Sequence, residues 1–118
     1  MVEIGKYLIF LCSGATKAGD RKLSYRIGSA LMEMGVAKIG TLQDLSEQHS
    51  LASHLQRRMI FINDCRSGCV NVLTHGFDKN NYTYIDVSPH IGNKDLNVER
   101  YIADEIIPKI NMKWPDAL

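Results

Sequence analysis

The chain alternates short apolar runs with amphipathic stretches, and that alternation predicts its elements. "KYLIFLC" is continuous, apolar and ended by the turn formers Ser13-Gly14, which reads as a strand buried on both faces. In "DRKLSYRIGSALMEMG", Leu23, Ile27, Ala30, Leu31 and Met34 share one helical face. Asp20 is placed to cap that helix and Gly35 to end it. "VAKIG" reads as a short strand, and "RMIFI" as a second buried one. Between them, "TLQDLSEQHSLASHLQRR" is polar, and Leu42, Leu45, Leu51 and Leu55 allow one or two short helices. "CVNVLTHG" predicts about two helical turns closed by Gly76. "YTYIDVS" is strand-like in its β-branched and aromatic content. "NVERYIADEIIPKI" predicts an amphipathic helix with Val98, Tyr101, Ile102, Ile106 and Ile107 inward and Pro108 near its end.

Strands and helices alternating at short spacing predict an α/β fold, a small doubly wound, Rossmann-like three-layer domain spanning 1–118. Four parallel strands joined by right-handed crossovers order most simply as 2-1-3-4. In that order strands 1 and 3 are neighbours whose connections leave toward opposite faces. Their carboxyl ends form the switch point where open α/β sheets take ligands.

All three cysteines of the chain follow those two strands. Cys12 ends the first, Cys65 lies just past the third, and Cys69 opens the next helical stretch in "NDCRSGC". The predicted topology brings them toward one crevice although Cys12 and Cys65 are far apart in sequence. A thiol at a helix N-terminus is biased toward thiolate, the form that is both nucleophile and metal ligand. Three thiolates suit zinc, with a fourth donor from Asp64, His49, His75, His90 or solvent. The same cysteines also suit a thiol-based redox or sulfur-transfer enzyme, although redox dithiols favour C-x2-C over the C-x3-C found here.

Composition adjusts this picture little. The 118 residues are 45% apolar and 23% charged, within the globular range, so a core forms without metal or disulfides. A net charge of +1 with scattered Lys and Arg gives no nucleic-acid footprint. The apolar run at the N-terminus is too short for a signal peptide or a membrane span, so a cytoplasmic setting with reduced thiols is expected.

"CSGATKAGD", "MGVAKIGTL" and "IFINDCRSGCVNVLTHGF" together resemble the DGC family of small zinc-binding proteins over most of the chain. That family closes its third strand with Asp-Gly-Cys and carries a second cysteine four residues on. The resemblance implies zinc held by Cys12, Cys65 and Cys69. Two features depart from the family pattern: Asn63-Asp64 replaces Asp-Gly, and Thr41 stands where a further cysteine is expected. A four-thiolate site is therefore absent, and the resemblance leaves His49, Asp64 or solvent as fourth ligand.

The first loop also carries anion chemistry, with the amides of Ser13, Gly14, Ala15 and Thr16 and the charge of Lys17 suited to phosphate or sulfate. It matches neither a Walker loop nor a C-x5-R phosphatase loop. A phosphocarrier with phosphocysteine at Cys12 shares the layout but leaves Cys65 and Cys69 unexplained. Asp78 reads as a turn residue, and Trp114 as packing for the C-terminal end. The segment holding His49 and His54 reads as a lid over the crevice.

Overall fold

The structure is a computed structural model describing residues 7–11, 23–64, 69–90, 93 and 95–115. Four strands, β1 (Tyr7–Leu11), β2 (Ala37–Ile39), β3 (Arg58–Asn63) and β4 (Tyr82–Asp86), form a wholly parallel sheet. Its order is β2-β1-β3-β4, as the alternation of elements predicts. Helix α1 (Leu23–Glu33) joins β1 to β2, and α2 (Leu42–Ser50) joins β2 to β3. The C-terminal helix α3 (98–113) packs beside α1.

Strand side chains alternate between two cores, which is why β1 and the Met59–Ile62 stretch of β3 are apolar without interruption. Tyr7, Ile9, Ile60, Ile62 and Ile85 point to one face, where Leu23, Ile27 and Leu31 of α1 and Ile102, Ile106 and Ile110 of α3 cover them. Leu8, Phe10, Met59 and Phe61 point to the other, against Leu45 of α2, Val70 and Phe77. Burial of both faces fixes the register, because a one-residue slip would exchange the two sets.

The end of α1 shows how closely spacing tracks local geometry. Gly35 takes φ +75°. Val36 N–H donates to Leu31 O and Gly35 N–H to Met32 O, each at 3.0 Å, which is the Schellman pattern. Met34 therefore falls beyond the helix and is exposed rather than facing the core as its spacing suggested. The Asp20 cap lies outside the described residues.

Two other elements differ from expectation. Cys69–Thr74 makes the two helical turns expected, but wound as a six-residue 3-10 segment rather than as α-helix. Its β-branched residues and the Thr74 hydroxyl, which donates to Asn71 O at 2.7 Å, favour the tighter winding. Gly76 does end the segment in a left-handed conformation, φ +87°. In α3 the chain continues past Pro108 to Lys113. Ile102–Ile106 forms a π turn, after which the helix resumes with Pro108 in its first turn. There the missing N–H and the clash with the carbonyl four residues back are accommodated.

Trp114 closes the amino end of the sheet and is 5% exposed. Its ring stacks on Tyr7 at 5.3 Å, Arg58 sits 5.5 Å from the ring centre, and its indole N–H donates to Asn80 O at 2.9 Å. Among the described residues no helix is long and apolar enough to cross a membrane.

Candidate functional site at the carboxyl ends of β1 and β3

The last paired residues of β1 and β3 are Leu11 and Ile62. Beyond Leu11 the chain proceeds to α1 on one face. Beyond β3 it proceeds to the Cys69–Thr74 segment, whose Val70 packs on the other. The divergence of the two connections makes this a topological switch point.

Cys12 follows Leu11 directly, and Cys65 follows Asp64. Both lie outside the described residues, as do Ser13, Gly14, Ala15, Thr16 and Lys17. Cys69 opens a 3-10 segment rather than an α-helix, and six residues wound in this way build little macrodipole.

Asp64 is the described residue that defines this end of the sheet. It is 6% exposed. Its Oδ2 accepts a 3.0 Å hydrogen bond from the backbone N–H of Ser24, forty positions away in the first turn of α1. A carboxylate at a helix N-terminus is favoured by the dipole and by the charge-assisted bond. Its second oxygen, Oδ1, is buried and has no hydrogen-bond partner among the described residues, and the same holds for the hydroxyl of the fully buried Ser24. A buried carboxylate oxygen left unsatisfied is costly, and the pair marks a place where a donor or cation is wanted. Ser24 escaped the reading of the sequence. Its signal was available, since it stands three and seven positions before Ile27 and Leu31 and so shares their buried stripe.

Next to Asp64, Asn63 ties β3 to β4. Its amide donates to Asp86 Oδ1 at 3.1 Å, and its carbonyl accepts from Val87 N–H at 2.8 Å. Burial pushes the Asp86 carboxyl up, but hydrogen bonds from Ser88 and Asn63 and the charge of Lys109 outweigh it and leave the pKa below the ordinary 3.8. A depressed native pKa means stability present above the unfolded value and lost as pH falls through the native one. The decline in melting temperature below about pH 4 is therefore expected to be shallower in Asp86→Asn than in the wild type. An equal or steeper decline in thermal melts across that range would contradict this role for Asp86.

The histidines disperse. His90 is at the carboxyl end of β4, edge-on to Tyr101 at 4.8 Å. The Tyr101 hydroxyl is pushed up, first by burial and then by the charges of Glu105 and Asp86. His49, named above as a fourth ligand, is placed at the opposite end of the sheet. It lies in the last turn of α2, stacked on Phe77 at 4.1 Å, and the side chain of the preceding Gln48 accepts from Arg57 N–H at 2.7 Å, just before β3 begins. The six residues of β3, about 20 Å of extended chain, separate that level from Asp64. The reason is that α2 runs back along the sheet, so its C-terminal residues return to the amino end. For the same reason the segment is not a lid over the crevice. His54 lies in the turn before β3, and His75 follows the 3-10 segment.

Thr41 has a structural role. Its hydroxyl accepts from Asp44 N–H at 3.1 Å while Asp44 Oδ2 accepts from Thr41 N–H at 2.8 Å, a reciprocal cap that starts α2. Among the described residues no three His, Cys, Asp or Glu side chains gather as a metal-binding group.

The fold and this end of it define a small parallel α/β domain with a topological switch point between β1 and β3. No family model, no curated protein and no solved structure matches the chain.

Proposed function

We propose that the domain is a cysteine-based transition-metal binding protein, with zinc as its metal, working where thiols stay reduced. Cys12, Cys65 and Cys69 supply the thiolates and Asp64 Oδ1 the oxygen donor. The observation that carries this reading is the buried Oδ1, without a partner among the described residues, one residue before Cys65. A carboxylate with one oxygen anchored on α1 and the other unsatisfied suits a hard oxygen ligand beside softer sulfurs. The resemblance to the DGC family supports the three cysteines as donors. Zinc bound there would act as a Lewis acid or hold a thiolate for reaction. The segment Ser13, Gly14, Ala15, Thr16 and Lys17 would bring a small anion to the same end.

Elemental analysis and thiol titration of anaerobically purified protein test the proposal. Near-stoichiometric zinc that is lost in Cys65→Ser is the expected result. Metal-free protein in which Cys12 or Cys65 is rapidly alkylated at neutral pH would instead identify a thiol-based redox or sulfur-transfer enzyme.

A further inference from the structure

The two edges of the sheet are protected unequally. β2 is three residues long with the exposed Lys38 at its centre, and short charged edges resist pairing with another chain. β4 reads Tyr-Thr-Tyr-Ile-Asp, five residues with neither lysine nor proline, and among the described residues the strand order places it at the opposite edge. Beside it runs a shallow groove of about 590 Å³ between Thr83 and the outer side of α3. Met112, at the end of that groove, is 85% exposed.

The charges along this side of α3 are ordered. Asp104 and Glu105 come first, and Lys109 and Lys113 follow one and two turns later. We propose that β4 and this stripe of α3 form a two-fold interface with a second copy of the chain. A two-fold axis perpendicular to the sheet sets β4 antiparallel to its copy and keeps both α3 helices on one face, side by side and antiparallel. The acidic turn of each helix then meets the basic turn of the other. Such self-complementarity is what an isologous interface requires, and a heterologous strand would have no need of it. The Arg100–Asp104 ion pair within α3, 3.5 Å long and largely exposed, is weak enough to be shared across the interface. The net charge of +1 adds little repulsion between copies.

Sedimentation equilibrium of the full chain, from low to high micromolar concentration, tests this. The wild type is expected to dimerise. An acidic-stripe variant, Lys109→Glu with Lys113→Glu, and a basic-stripe variant, Asp104→Lys with Glu105→Lys, should each dimerise at least about tenfold more weakly. An equimolar mixture of the two should recover a dimer of mixed composition. All four positions lie on the outer side of α3, and far-UV circular dichroism verifies that the variants fold. A wild type that stays monomeric throughout overturns the proposal and leaves β4 to a strand from another protein. A dimer indifferent to both variants, or a mixture that remains monomeric, overturns it equally.

Discussion

Trp114→Ala is expected to lower the unfolding free energy by about 3–5 kcal/mol, the usual cost of removing a large buried aromatic side chain. A domain of this size has about 5–15 kcal/mol in total, so the variant would sit at the margin of folding. Three interactions disappear together. The stack on Tyr7 holds the first residue of β1, the Arg58 contact holds the first residue of β3, and the indole bond to Asn80 holds the approach to β4. Trp114 thus clamps three adjacent strand entries from below. Trp114→Phe keeps an aromatic ring but loses the N–H donor, and about 0.5–1.5 kcal/mol is expected for the lost bond to the Asn80 carbonyl. Urea unfolding followed by circular dichroism measures both variants. Fluorescence is unsuitable, because Trp114 is the sole tryptophan. A loss below about 1 kcal/mol in Trp114→Ala would refute the clamp.

Asp64 is expected to separate stability from metal affinity. Asp64→Ala removes the acceptor for Ser24 N–H, a hydrogen bond to a charged group, at about 1.5–3 kcal/mol. Asp64→Asn keeps an amide oxygen that can accept from Ser24, so it should cost less stability. It no longer offers a carboxylate oxygen to a cation. At the proposed site, zinc affinity is therefore expected to fall at least about 10-fold in Asp64→Asn, since losing even a group that only supports a ligand costs about 10–100-fold. Competition with a chromophoric chelator reads the affinity, and urea unfolding of metal-free protein reads the stability. Unchanged zinc affinity in Asp64→Asn would confine Asp64 to capping α1.

The fold was legible because its signals are periodic. Uninterrupted apolar runs at 7–11 and 59–62 can lie only between two covered faces, and the intervening amphipathic segments supply the covers. That logic also yields the strand order and the switch point. It fails where identity depends on direction in space. The distance from His49 to the crevice follows from α2 running antiparallel to the strands, so a residue near the crevice in sequence is carried away from it. The bond from Ser24 to Asp64 spans forty positions and carries no local pattern. The 3-10 winding after Cys69 and the π turn before Pro108 reflect competition among short-range hydrogen bonds, to which hydrophobic spacing is blind.

The pairing of β1 with β3 also bears on how the chain is made. As synthesis proceeds from the N-terminus, β1 can first find only β2, and its other edge waits about fifty residues for Arg58–Asn63. During that interval "YLIFL" presents an open apolar edge, the kind of segment that pairs with its own copies. The central ladder must close late and over a long loop, which slows folding relative to local hairpins or helices. The strand arrangement that assembles the crevice therefore also makes the N-terminal half of this protein, while it is still unfinished, the part most dependent on chaperone protection.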